Sequence, residues 1–428
     1  MFEAVSMKVD LDAKNAKIRE DFSVLRNRTF LDTASFCPYS VHVLSAINDF
    51  LEFMKLAPSN PFEQFFLQVS KAEEVKQEAA KLLNCEGREI ALINTTSQGM
   101  CIIATSLKWE PGDNVVTTDQ THPCCTVPFM GFPGVEIRTI GNNDGAYSLS
   151  DFEKAIDDKT KLVTLCHTEW INGFTHDLAA VKKIAEAHGA YFAVDPGQSL
   201  GQLEVDAKKT GADFMAIRCY KWPTGPLNGG LLYVKKDLIE KLRPPYRSFR
   251  SLLDKVLGRG QGIDMWAMSG NQNPASSPVY SYEKLDFVNT AKRFEEPGIP
   301  DCDAWALNAA LKYINGLGVG NIRKRVMHLS DHLVEGLLDI GCKLNTPIEN
   351  MEQRSGLVSY TTGSYKVDYE SVRSMNSMGV SVSLRYSAAE REWKEGMRNL
   401  GGIRVSTHFF NNEEDVDKLL KIQKTLLS

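Results

Sequence analysis

The chain has 428 residues, 43% hydrophobic and 24% charged, with 49 lysines and arginines against 54 aspartates and glutamates for a net charge of −5. That length and apolar content suffice for a buried core in two or three domains without disulfide or metal staples, and they exclude a disordered chain. Interspersed charge with a slight acidic excess lacks the basic patch that nucleic-acid or membrane-surface binding requires, which leaves a small-molecule substrate. No run of about 20 apolar residues spans a bilayer, and acids stand at the start of the chain where a signal peptide is basic and then apolar, so a cytoplasmic protein is expected. The nine cysteines are odd in number and never spaced CxxC. Reduced thiols are expected, with neither a disulfide framework nor a metal site.

In chain order, residues 1–30 read as an N-terminal arm, 31–300 as a large α/β domain and 301–428 as a smaller α+β domain. SKAEEVKQEAAKLLN (70–84) has apolar Val75, Ala79 and Leu82 at helical spacing and predicts a surface helix. Seven short β-rich runs come next, at 89–95, 114–119, 135–140, 161–167, 191–195, 213–218 and 230–236, with helices such as 177–189 between them. That alternation predicts a mostly parallel seven-stranded sheet flanked by helices. The stretch 237–300 is rich in Pro, Gly, Ser and Arg and reads as irregular. Beyond it, helices are expected at 303–316, 321–340 and 413–427, and strands at 356–362, 380–385 and 403–407.

Three places carry chemistry. Asp195 ends a buried run at the carboxyl edge of the predicted sheet, where open α/β folds bind ligands. Lys221 follows the next run between Tyr220 and Trp222, and a lysine in partly apolar surroundings has a lowered pKa and a neutral amine for Schiff-base chemistry. An amine for the aldehyde and a carboxylate for the ring nitrogen are what pyridoxal phosphate needs. Upstream, Thr95, Thr96, Ser97, Gln98 and Gly99 lead from a strand into a helix, a phosphate-type anion site. A plain N-cap accounts for the same residues. His122 follows another strand, where a structural or solvated role is the commoner one. His328 and His332, four apart on a helix, lack the glutamate of the zinc-protease pattern.

With these residues in order, the sequence resembles the class V aminotransferases of fold type I, the group that includes cysteine desulfurases, selenocysteine lyases, kynureninases and isopenicillin N epimerase. The resemblance rests on Val194-Asp195-x-x-Gln198-Ser199, Tyr220-Lys221-Trp222-x-x-Gly225-Pro226 and Arg404-x-Ser406-x-His408-Phe409-x-Asn411, and it extends from Leu31 to Asp417. It implies that pyridoxal phosphate is held as an internal aldimine on Lys221, which also shuttles the Cα proton. It implies further that Asp195 faces the pyridine nitrogen, Gln198 the phenolic oxygen and His122 the ring face. Ser97 and the backbone of Gln98 would cradle the phosphate, with Arg218 and Tyr220 on the same lysine loop. Arg404 would take the substrate carboxylate, with Trp170 and Arg385 beside it. A homodimer whose partner completes the site is implied as well.

Departures from the pattern shape the expected reaction. Residues 380–402 contain no cysteine where desulfurases carry their nucleophile. Ile299 stands where relatives place a phosphate-binding threonine, and Arg218 three residues before Lys221 is read as its replacement, with a structural ion pair as the alternative. Asn228 replaces a turn glycine and is expected to accept a left-handed conformation. The reading is a pyridoxal-phosphate enzyme acting on an α-amino acid, first an aminotransferase, alternatively an epimerase or C–S lyase, and not a persulfide-forming cysteine desulfurase. A catalytically idle binding protein of this fold and a nicotinamide dehydrogenase, which lacks its GxGxxG here, are the rivals from other classes.

Overall fold

All seven β-rich runs pair into one sheet. The computed structural model describes residues 11–56, 61–247, 251, 287–296, 301–385 and 401–427. Apart from β1 (Thr29–Phe30), the strands of the first part are β2 (Ile90–Ile93), β3 (Asn114–Thr118), β4 (Glu136–Ile140), β5 (Thr160–Cys166), β6 (Tyr191–Asp195), β7 (Phe214–Arg218) and β8 (Gly230–Val234). Their order across the sheet is β2-β8-β7-β6-β5-β3-β4. β8 runs antiparallel to both its neighbours, and the remaining pairs are parallel.

Successive side chains point to opposite faces, so the two sides of the sheet feed separate clusters. Val163, Leu165, Phe192, Val194, Met215 and Ile217 pack on one face, and Leu162, Cys166, Ala193, Phe214, Ala216 and Leu232 on the other. Both faces are buried, which is why these strands read as continuous apolar runs without alternation. The helix expected at 70–84 spans Pro61–Leu83 and is less of a surface element than its charge suggests. Ala72, Val75, Ala79 and Leu83 enter the core, and Lys76 is itself buried between Glu73 and Glu295, both at 3.0 Å. The helix Leu178–Ala187 is capped at its start by Asp177. It ends at Gly189, φ +71°, with Ala190 N–H donating to Ala185 O and Gly189 N–H to Glu186 O, as a Schellman motif requires.

The C-terminal part holds β9 (Lys343–Leu344), β10 (Leu357–Thr361), β11 (Val380–Ser381), β12 (Ser383–Arg385) and β13 (Gly402–Ser406), of which four form an antiparallel sheet in the order β12-β13-β10-β9. Helices Asp301–Leu317, Val319–Asp339 and Glu413–Leu427 match expectation, while Tyr365–Ser377 is an additional helix. The N-terminal segment lies against this C-terminal part. β1 pairs with β11, Arg19 with Asp415 at 2.6 Å, and Ser406 N–H donates to Leu31 O. Chain ends more than 370 residues apart in sequence therefore meet beside β13, which carries Arg404. The irregular stretch at 252–286 and the 386–400 loop lie outside the described residues.

Candidate active site

At the carboxyl ends of β5 and β6, Cys166 and Asp195 are ladder partners, so both side chains leave the sheet at the same edge. Asp195 is 8% exposed. Its Oδ1 accepts the Gly197 N–H at 2.8 Å, and a side chain at Gly197 would bring a Cβ to 2.8 Å from that oxygen. Oδ2 accepts from the thiols of Cys124, 3.4 Å, and Cys166, 3.9 Å. Lys221 lies three residues past β7 and lines the same cavity. Burial lowers its pKa, the Asp195 charge opposes, and the Arg404 charge lowers it further.

His122 follows β3 and accepts the Cys124 N–H on Nδ1 at 3.3 Å, which places its ring proton on Nε2. Burial keeps the imidazole neutral by lowering its pKa, against the pull of Asp195. The Trp170 ring stands edge-on to it, 5.4 Å away at 76°. Gln198 closes another wall with its amide fixed, Nε2 donating to Ala34 O at 3.0 Å and Oε1 accepting the buried Trp222 indole N–H at 2.9 Å.

The helix Thr96–Ser106 begins at the cavity, and Thr95 caps it by accepting the Gln98 N–H at 3.0 Å. The N-cap and anion-site readings thus coexist. Thr96 and Ser97 retain first-turn N–H groups, whereas Gln98 is turned into the protein, accepting Asn94 N–H at 2.6 Å and donating to the Glu296 carboxylate. Arg218 lies over the Tyr220 ring at 4.4 Å and donates twice to Leu227 O, at 3.1 and 3.0 Å. It pairs with no carboxylate among the described residues. Ile299 lies outside them. The left-handed residue of the lysine loop is not Asn228 but Thr224, φ +60°, whose N–H closes a tight turn onto Lys221 O at 3.0 Å. Proline at 223 and the carbonyl of Lys221 define that turn, so the strain falls on the residue that closes it.

On the opposite side, Arg404 is 1% exposed. It donates from Nη1 to Trp170 O at 2.9 Å and from Nη2 to Ser35 Oγ at 2.6 Å. Arg385 reaches the same Ser35 hydroxyl at 2.7 Å, and Ser35 donates to Asp32 at 2.9 Å. Burial and then the Arg385 charge pull the Arg404 guanidinium down to about 10. Ser35, Asp32 and Cys166 do not stand out in the sequence, because their roles depend on partners far away in the chain. His328 and His332 pair separately, with Glu413 at 2.9 Å and Asp417 at 2.7 Å, so they face different carboxylates and do not converge.

The sequence profile described as aminotransferase class-V matches residues 29–255 and 261–419. The chain belongs to that family. It is a pyridoxal-phosphate-dependent enzyme, and the residues present fit the cofactor: a desolvated amine, a buried carboxylate, a neutral imidazole and a helix N-terminus line one cavity. A probable cysteine desulfurase of Methanothermobacter thermautotrophicus is 26% identical over 411 residues, covering 94% of this chain and 95% of the relative. Among solved structures, the apo cysteine desulfurase of Thermococcus onnurineus NA1 matches with a TM-score of 0.80 at 24% identity, covering 96% of this chain and 97% of the other. The cystine C–S lyase C-DES, in complex with its reaction product cysteine persulfide, matches at 0.76 and 21% identity, covering 94% and 98%.

These similarities correct the expected reaction. Transamination is expected first and persulfide-forming desulfurase chemistry is excluded, yet these three similar proteins are named for cleaving carbon–sulfur bonds. The exclusion equates persulfide formation with a protein cysteine in 380–402. C-DES is named a cystine C–S lyase whose reaction product is cysteine persulfide, so a persulfide can also be a small-molecule product. None of these relatives is named an isopenicillin N epimerase, and that closer likeness is not carried further.

Proposed function

We propose that the enzyme cleaves the Cβ–S bond of a sulfur-containing α-amino acid, as a desulfurase or C–S lyase. The observation that carries this reading is a desolvated lysine in a cavity walled by Trp170, whose carbonyl holds the buried Arg404, together with relatives named for C–S cleavage. When bound, pyridoxal phosphate supplies an aldehyde that condenses with amines and a ring that accepts the electron pair from Cα. Arg404 takes the substrate carboxylate in its planar fork, steadied by Ser35 and Trp170 O. Lys221 Nζ, its pKa lowered by burial, accepts the Cα proton. Asp195 would pair with the ring nitrogen and His122, with the Trp170 ring edge-on to it, would support the ring. Ser97 and the helix start hold the phosphate, and Arg218, free of any carboxylate among the described residues, adds a positive charge there.

As the Cβ–S bond breaks, its electron pair leaves with sulfur, which departs as sulfide, or as persulfide when the substrate is a disulfide. The three-carbon remainder, left as an enamine, takes up a proton at Cβ and is hydrolysed by water to pyruvate and ammonium. A homodimer is part of the proposal. Phe36, Val41, Leu44, Leu51 and Leu56 are exposed apolar side chains on and before the helix Val41–Lys55, and exposed Leu227 of the lysine loop is tied to the same segment through Tyr39, a surface suited to a second copy.

The test is a panel of cysteine, cystine, cysteine sulfinate and non-sulfur amino acids, scored for sulfide, persulfide, pyruvate, alanine and keto acids. Sulfur release from a sulfur amino acid, lost in Lys221→Ala, is expected. Keto-acid formation from non-sulfur amino acids with no sulfur release would overturn the reading.

A further inference from the structure

Three thiols converge on Asp195. The sulfurs of Cys124 and Cys125 and an oxygen of Asp195 lie within 4.8 Å of one another, and Cys166 joins them from the next strand, 3.9 Å from Oδ2. The sense of each hydrogen bond is fixed by its neighbours. Asp195 as a carboxylate has no proton to give, so Cys124 at 3.4 Å must be the donor. Cys166 Sγ already accepts the His122 N–H at 3.4 Å, which leaves its own hydrogen for Asp195. A hydrogen bond from Cys125 favours the thiolates of Cys124 and Cys166, but burial and the Asp195 charge outweigh it, raising Cys124 and holding Cys166 up at about 12. Both therefore stay protonated donors.

We propose that Cys124 and Cys166 are positioning residues that occupy lone pairs of Asp195 Oδ2 and thereby loosen its hold on the proton of the cofactor's ring nitrogen. The proposal rests on the reading above that Asp195 faces that nitrogen. A carboxylate oxygen that already accepts a thiol hydrogen has less electron density to offer a second donor, so each thiol competes with the ring N–H for Asp195. A less firmly protonated ring retains less of the electron pair taken from Cα, and the pair passes on to the departing sulfur. The other charged or titratable groups facing Asp195 are Lys221 and His122, with Arg218 and Arg404 beyond them and Cys125 behind. None of them is altered in the test.

Holoenzyme is reconstituted with cofactor carrying ¹⁵N in the ring, without substrate, and the ring-nitrogen resonance is followed from about pH 6 to about pH 10. Cys124→Ala is expected to raise the titration midpoint by about half a unit, and to tighten cofactor binding about threefold by equilibrium dialysis. Cys166→Ala, with the longer contact, shifts it less. Cys124→Ser keeps both volume and donor, and holds the midpoint at or below that of the parent. A midpoint that stays put or falls in Cys124→Ala, or a serine variant that behaves as the alanine one does, would overturn the proposal. Asp195→Asn separates the two readings. If it too leaves the midpoint unmoved, the placement of Asp195 against the ring fails, whereas if it moves the midpoint and Cys124→Ala does not, only the role of the thiols fails.

Discussion

Ser35 is a single hydroxyl with one hydrogen and two lone pairs, and all three are used: it donates to Asp32 and accepts from Arg385 and Arg404. Two guanidinium groups on one oxygen repel, and Asp32, 3.6 Å from Arg404, offsets one of the charges. The remaining positive charge suits one carboxylate, and the planar fork of Arg404 is already oriented for it. Lysine at 404 would keep the charge and lose the fork. Arg404→Lys should therefore raise KM for the sulfur amino acid by about ten- to a hundredfold, leaving the visible absorption of the bound cofactor as it was. Steady-state kinetics and an absorption spectrum check this, and an unchanged KM would remove Arg404 from substrate binding.

At the scale of elements, β13 is held in place by the segment C-terminal to it. The chain turns through 407–411 into the helix Glu413–Leu427, whose first turn carries Glu413, Glu414 and Asp415 at the positive end of the helix dipole. Glu413 is gripped twice by the buried Arg325, at 2.8 and 3.1 Å. That contact, more than any other, holds its carboxyl down at about 2 against an ordinary 4.5. A lowered folded-state pKa stabilises the fold above the unfolded value, and the stabilisation disappears as pH falls from about 4.5 toward about 2. Because the Glu413 side chain is 44% exposed, solvent screening reduces the effect to about 1 kcal/mol. Glu413→Gln should cost about that much in urea unfolding near pH 6, and nothing near pH 2. An equal loss at both values would show that the carboxylate charge is not responsible.

For the whole molecule, the exposed band on the helix Val41–Lys55 lies between the N-terminal segment, which carries Ser35 toward Arg404, and the lysine loop. Leu44 is 43% and Leu51 55% exposed, one face of the helix apart by seven residues. A second copy covering this face would press on both sides of the site at once. Leu44→Glu combined with Leu51→Glu should convert a dimer to a monomer in sedimentation velocity and reduce turnover at least about tenfold, since a charge buried at an interface without a partner is strongly unfavourable. A parent protein that sediments as a monomer would refute this assembly.

The amino-acid sequence by itself determined the sheet and its chemistry-bearing edge. Strands buried on both faces leave continuous apolar runs, and Asp195 and Lys221 follow such runs within a few residues, so local pattern and sheet rules place them together. The helix expected at 177–189 was also legible locally, since its caps at Asp177 and Gly189 are satisfied within the helix itself. The helix Tyr365–Ser377 has too few apolar residues to show in the sequence, and only packing against its neighbours buries Ser371 and Met375. Tertiary structure alone decided the partners: Gln98 turned away to Glu296, Thr224 taking the strain expected at Asn228, two arginines meeting on Ser35, and two thiols on Asp195. Each depends on contacts between segments far apart in the chain, where residue type states what a group can bond to but not what it meets. The reaction is misread from sequence for a related reason, since one absent side chain in 380–402 does not settle chemistry that also depends on what sulfur the substrate brings.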